Sequence, residues 1–240
     1  MELAPGIHRI GDGIANVYLV EEAGAVTIID AGMPGHWREL PGELAAMGRS
    51  LEDVRAVVLT HGHSDHVGFA ERIRSERGVP IEIHEADAAL ARGEVPNPSR
   101  GWGKWSIGPT LSFLWYGLRR GGLRAIPIKE VITFGDGATL DVPGAPRVIH
   151  VPGHTPGCAA LQITGRSALF VGDALATYSV LTGVRGPRIA PFSADPEQAL
   201  TSLSRLGGLD ARLVLPGHGE PWAEGIDLAI AAVRRSFVPA

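Results

Sequence analysis

Short runs rich in Val and Ile, at 14–20, 25–29, 56–60, 81–84, 147–151, 159–163, 168–171 and 212–215, read as strands. Between or after them, apolar residues recur at helical spacing over 36–47, 67–77, 86–92, 196–206 and 224–237. The mixture predicts an α/β protein. Turn chemistry such as Glu22-Ala23-Gly24 and Gly165-Arg166 joins neighbouring strands near the start and around 147–171, which favours antiparallel hairpins inside mixed sheets. Two mixed sheets with helices outside is the expected architecture.

Segment 93–125 breaks this pattern. It is rich in Gly, Pro and Arg and holds Trp102, Trp105, Phe113, Trp115 and Tyr116, so it reads as an irregular aromatic insert or lid. Aromatic side chains are costly to leave in water, and these are expected to cover something: an active-site mouth, a partner subunit or a membrane surface. The plainer alternative is a satellite core.

Composition narrows the class. With 240 residues, 45% hydrophobic and 20% charged, the chain suits one folded domain spanning 1–240, without repeats or a linker. A net charge of -4 disfavours nucleic acid as a partner and points to a small-molecule substrate, with a homodimer left open. The single cysteine, Cys158, rules out an internal disulfide and reads as a small buried thiol. No run approaches the ~18 apolar residues of a membrane span, so no stable membrane insertion is expected. Residues 1–10 lack the basic start and apolar run of a secretory signal, and the cytoplasm is the expected location.

The candidate chemistry is concentrated in Thr60-His61-Gly62-His63-Ser64-Asp65-His66, directly after the apolar run Ala56-Val57-Val58-Leu59. Four imidazole or carboxylate groups within six residues, at the end of a buried strand, spell a metal-binding loop. His61 and His63, two residues apart, converge most easily from an extended segment, while Asp65 and His66 sit where a helix is predicted to begin at Val67. The same grammar then repeats: an apolar strand and a Gly-containing turn lead to His154, to Asp173 and to His218. Ligands gather beyond the carboxyl ends of strands in α/β sheets, so these groups can meet on one edge. Five His and two Asp suffice for three nitrogen donors on one metal, a mixed set on another and a bridging carboxylate. His8, His36, His84 and His150 lack this context and read as structural or surface residues; Asp87 and Asp136 read as turn or cap residues.

The whole pattern, HxHxDH followed by His, Asp and His, resembles the metallo-β-lactamase superfamily over nearly the full chain. That resemblance implies a four-layer αβ/βα sandwich. Ile28-Ile29-Asp30-Ala31-Gly32 looks like the family's strand-end Asp-x-Gly, in which Asp30 supports the metal loop from behind. By the same likeness His61, His63 and His154 would hold one ion, Asp65, His66 and His218 a second, and Asp173 would bridge them. The cofactors implied are two divalent metal ions, zinc first, with iron or manganese as alternatives.

The implied reaction is attack by a hydroxide bridging the two ions, with Asp65 protonating the departing group. Tyr178 looks like the tyrosine that polarises the carbonyl in acyl-homoserine lactonases, although its spacing from Asp173 differs. The aromatic segment favours an ester or lactone bond of a partly apolar substrate. A glyoxalase II-like thioester hydrolase, an iron-dependent persulfide dioxygenase and a phosphodiesterase are the alternative activities. A binding module docking through Trp102, Trp105 and Trp115 is the alternative outside catalysis.

Overall fold

A computed structural model describes residues 1–99, 101, 103–122 and 126–237. The first sheet has seven strands in sequence order: β1 (Glu2–Ala4), β2 (Ile7–Ile10), β3 (Val17–Glu22), β4 (Ala25–Ile29), β5 (Val54–Leu59), β6 (Ile81–His84) and β7 (Ile132–Phe134). Pairing is antiparallel from β1 to β4 and parallel from β4 to β7. The second sheet uses β8 (Arg147–His150), β9 (Ala159–Ile163) and β10 (Ala168–Gly172). A two-stranded ribbon of β11 (Ala176–Tyr178) and β12 (Arg185–Arg188) follows, and β13 (Leu213–Pro216) then joins the second sheet in the order β13-β10-β9-β8. Since β8 and β10 each run antiparallel to β9, and β13 runs parallel to β10, the carboxyl ends of β8, β10 and β13 share one edge.

The helices are α1 (Leu40–Ala46), α2 (Ala70–Arg77), α3 (Ala88–Ala91), α4 (Ile107–Arg119), α5 (Pro196–Ser202) and α6 (Ile226–Ser236). Strand alternation sorts the apolar side chains into layers. In β5, Val57 and Leu59 pack outward with Leu40 and Leu44 of α1 and Ile73 of α2, whereas Val58 faces the other sheet. In β10, Leu169 and Val171 pack outward with Leu203 and with Ile230 and Val233 of α6, whereas Phe170 faces inward. Tyr18, Ile29, Val148, Leu161, Phe170 and Leu215 form the layer between the sheets. The result is the four-layer αβ/βα arrangement.

Several element boundaries differ from the sequence pattern for identifiable reasons. Residues 14–16 leave the predicted strand to strap the turn after β13: Asn16 Nδ2 donates to the Pro216 carbonyl at 2.9 Å and the Gly219 carbonyl at 2.8 Å. The helix predicted over 36–47 is a 3₁₀ turn, Pro34–Arg38, followed by α1. The helix predicted from Val67 starts at Ala70. Gly68 and Phe69 instead give their N–H groups to the carbonyls of Gly32 and Ala31, at 2.7 and 3.2 Å.

The larger correction concerns 93–125, which is not irregular throughout. It contains the 13-residue helix α4. Gly108, Pro109 and Gly117 are poor helix formers, and apolar residues on both faces hide the 3.6-residue period. Trp102 lies outside the described residues.

Candidate metal centre

The His61 loop is shaped by what surrounds it. Asp30, in a left-handed backbone conformation (φ +60°) just past β4, accepts from the Thr60 backbone N–H at 2.8 Å and from the Thr60 hydroxyl at 2.9 Å. The chain then closes a helical turn, with the N–H groups of His66 and Val67 both donating to the His63 carbonyl. That turn sends Asp65 and His66 to one side and leaves His61 and His63 on the other. Two glycines allow the neighbouring turns to close in. A Cβ on Gly172 (φ +48°) would lie 2.3 Å from Thr60 Oγ1, and one on Gly217 would lie 2.3 Å from Asp173 Oδ1.

The fold brings all seven predicted residues together. Ligand atoms of His61, His63 and His154 lie within 4.8 Å of one another; the same holds for His61, His66 and Asp173, and for Asp65, His66 and His218. Asp173 Oδ2 is 3.1 Å from His218 Nε2 and 3.3 Å from His154 Nε2, and its Oδ1 is 3.6 Å from His66 Nε2. Asp65 Oδ2 is 3.4 Å from His218 Nε2. Six of the seven are buried, and Asp65 is partly exposed.

Hydrogen bonds behind the cluster assign each imidazole tautomer. His66 Nδ1 donates to Asp30 Oδ2 at 2.8 Å. The Thr60 hydroxyl spends its proton on Asp30, so its oxygen accepts from His61 Nδ1 at 3.1 Å. Ser193 Oγ donates to the Ala190 carbonyl and accepts from His154 Nδ1 at 3.1 Å. His63 Nε2 donates to Asn97 Oδ1 at 3.0 Å, and His218 Nδ1 donates to the Ile14 carbonyl. In its neutral form each ring therefore turns its lone-pair nitrogen inward, and a protonated ring such as His66 exchanges that inward proton for a cation when it coordinates.

Lone pairs facing one another call for a cation. His154 Nε2 and His63 Nδ1 stand 2.9 Å apart with their protons committed elsewhere. Among the described residues, the buried atoms His61 Nε2, His66 Nε2 and Asp173 Oδ1 have no hydrogen-bond partner. Burial without a partner is costly, and metal coordination removes that cost. Soft-to-borderline nitrogen donors mixed with carboxylates suit zinc, iron or manganese.

Electrostatics divides the cluster into two halves. Burial pushes His154 down to about 3, the neighbouring imidazoles adding to the effect, and drives His61 well below its ordinary value. Both stay neutral and ready to donate an electron pair. Burial also disfavours a charged His66, but Asp30, Asp173 and Asp65 together prevail and raise it to about 10. Burial pushes the Asp173 carboxyl up, yet His218, His66 and His154 outweigh it and hold it well below the usual carboxylate range. The carboxylate-rich half thus attracts positive charge.

Beside the cluster is a cavity of about 200 Å³, lined by His63, Asp65 and Asn97 and by the apolar side chains of Met33, Phe113, Leu114 and Phe192. Phe113 and Leu114 belong to α4, so part of the aromatic segment does wall this space. Tyr178 is half-buried on β11, beneath the Arg185 guanidinium at 5.7 Å, and its hydroxyl has no hydrogen-bond partner among the described residues.

The other histidines stand apart from the cluster. His8 pairs with Glu43 at 2.7 Å, His36 Nε2 bonds the Tyr116 hydroxyl at 3.0 Å, and the His84 and His150 rings stack at 4.1 Å. Asp87 does more than end a turn, and it makes no side-chain cap to α3. Its carboxylate accepts from Gly62 N, the Thr155 hydroxyl and Gly157 N at 2.8, 2.7 and 2.6 Å, clamping the His61 and His154 loops together. Asn97 and Ser193 also escaped sequence reasoning. Neither has a local signature, because each meets its histidine only through the fold.

The fold and the His/Asp cluster together define a metallo-hydrolase class of protein. The chain belongs to the metallo-β-lactamase superfamily, whose family model matches residues 10–218. It is similar to the probable metallo-hydrolase YflN of Bacillus subtilis, with 32% identity covering 92% of this chain and 86% of the relative. Among solved structures it resembles the metallo-β-lactamase family protein TTHA1429 of Thermus thermophilus, with TM-score 0.70 and 26% identity, covering 96% of this chain and 78% of that one. It also resembles TTHA1623 in a di-iron-bound form, with TM-score 0.62 and 25% identity, covering 95% of this chain and 98% of that one.

Proposed function

We propose that this protein is a binuclear metal-dependent hydrolase that cleaves an ester or lactone bond in a partly apolar substrate. The observation that carries the reading is the set of converging imidazole nitrogens and carboxylates beside a cavity with Met33, Phe113, Leu114 and Phe192 in its wall. In this reading His61, His63 and His154 would hold one ion, Asp65, His66 and His218 would hold the other, and Asp173 would serve both. Zinc is the first candidate. When bound, the ions supply Lewis acidity and water of lowered pKa, giving a nucleophile at neutral pH.

The chain's own groups do the rest. The apolar wall seats the hydrocarbon part of the substrate and excludes water from it. The Asp65 carboxyl is held below its ordinary value: burial raises it, but His66 and His218 outweigh that effect. It therefore stands ionised at the cavity wall, able to take a proton from attacking water and return it to the departing oxygen. By the resemblance to acyl-homoserine lactonases, Tyr178 would position the substrate carbonyl through its hydroxyl, although its side chain is not among those lining this cavity.

The test is a hydrolysis screen of metal-loaded protein against lactones, esters, thioesters, phosphodiesters and β-lactams. Expected is ester or lactone turnover that a chelator abolishes, added metal restores and Asp65→Ala lowers by roughly 10²-fold or more. Tyr178→Phe should mainly lower kcat. Turnover of thioesters alone would overturn the substrate, and activity indifferent to chelation would overturn the mechanism. The di-iron-bound form of TTHA1623 favours a second reading, an iron-dependent oxidation, which elemental analysis and oxygen consumption distinguish from hydrolysis.

A further inference from the structure

The outer face of α4 is apolar and open to solvent. Ile107, Leu111, Trp115 and Leu118 form a stripe at i, i+4, i+8 and i+11, from 52% exposed at Leu118 to 68% at Ile107, with Trp105 beside its amino end. The opposite face is already used. Thr110 donates its hydroxyl to the Leu181 carbonyl at 3.1 Å, Gly117 is buried, and Phe113 turns into the cavity beside the histidine cluster. The exposed stripe is therefore a surplus that core packing does not explain.

Charge indicates what covers it. Residues 95–129 contain six basic side chains, Arg100, Lys104, Arg119, Arg120, Arg124 and Lys129, and no Asp or Glu, within a chain of net charge -4. Arg120 is occupied by Glu39 and lies 3.9 Å from Asp12. Lys104 and Arg119 are exposed, with Arg119 over the Trp115 ring at 5.8 Å. A two-fold contact between copies through this helix would set its cations against their own images, which opposes a homodimer. Tryptophans and leucines flanked by the exposed cations Lys104 and Arg119 match the headgroup boundary of an anionic bilayer. At 13 residues, α4 is about 20 Å long, too short to cross a hydrocarbon core of about 30 Å, so it would lie on the surface.

We propose that α4 docks this protein onto anionic membrane surfaces, with Trp105, Leu111, Trp115 and Leu118 entering the interface and Lys104 and Arg119 meeting lipid phosphates. This stands independently of the reaction assigned to the histidine cluster.

The test is co-sedimentation of the full chain with phosphatidylcholine vesicles, with and without 30 mol% phosphatidylglycerol, together with sizing of the free protein. Expected is binding to the anionic vesicles that falls at 0.5 M salt. Lys104→Gln with Arg119→Gln should weaken it by roughly fivefold per charge, and Leu111→Ala with Trp115→Ala by tenfold or more. Circular dichroism of both double variants should match the parent, since the altered side chains are exposed. Absence of binding to either vesicle, or binding indifferent to lipid charge and salt, would overturn the proposal. So would a stable dimer that the Leu111 and Trp115 changes dissociate, which would give the face to a second copy.

Discussion

Asp30 Oδ2 lies 2.8 Å from His66 Nδ1, and the same carboxylate takes the Thr60 proton that frees Thr60 Oγ1 to accept from His61. One buried carboxylate thus sets the tautomers of two histidines, one in each half of the cluster. Asp30→Asn keeps the shape but can no longer accept everywhere the carboxylate does. Metal affinity is expected to fall about 10–100-fold, measured by competition with a chromophoric chelator. Unchanged affinity would remove this role from Asp30.

Gly217 is needed for contact rather than for backbone freedom. Gly217→Ala would drive a methyl group to 2.3 Å from Asp173 Oδ1 and 2.5 Å from His66 Cε1. Displacing these side chains should lower the bound-metal content per chain and cost about 1–3 kcal/mol in metal-free protein. Elemental analysis and chemical denaturation read the two effects separately; a variant with full metal content would contradict the close packing.

Asp87 accepts from three donors in two loops and is fully buried. Asp87→Ala strands all three, so a loss on the order of 3–5 kcal/mol is expected. Asp87→Asn retains one carbonyl oxygen and should lose less. Denaturant midpoints of the two variants provide the comparison, and equal, small losses would show that the loops hold without the clamp.

His36 makes stability depend on pH. Burial, with Arg120 adding to it, lowers the imidazole to about 4, against 6.5 in the unfolded chain. The unfolded chain therefore binds a proton more readily below pH 6.5, and stability falls as the pH drops from about 6.5 through about 4. The full effect is ~3 kcal/mol. Fully buried, the ring also accepts from Met33 N at 2.9 Å and bonds Tyr116, linking α4 to the turn behind the cluster. Denaturation at pH 7 and pH 4.5 should show a smaller difference for His36→Gln than for the parent. An equal difference in both would place the titration elsewhere.

The long parallel strands and the seven clustered residues were legible because their signals are local. The run Ala56 to Leu59 is apolar enough to be buried whichever way it faces, and Gly-containing turns follow β8, β10 and β13. Other elements carry weak signals. β1 and β7 have three residues each and exist because a neighbouring strand pairs with them. The helix α4 was hidden because it is apolar on two faces, one toward the cavity and one toward solvent. Asp87 resembled any helix-start aspartate until the fold laid Gly62 and Gly157 against it.

By itself, the sequence determined which side chains could coordinate and that each follows a strand, because hydrophobic periodicity and turn glycines act over a few residues. Only the tertiary structure decided that the carboxyl ends of β5, β8, β10 and β13 converge, which nitrogen of each ring faces inward, and that Asn97, Ser193 and Ile14 stand behind them. Those contacts join residues far apart in the chain, and their energies arise from burial and hydrogen-bond geometry that exist only once the two sheets have packed.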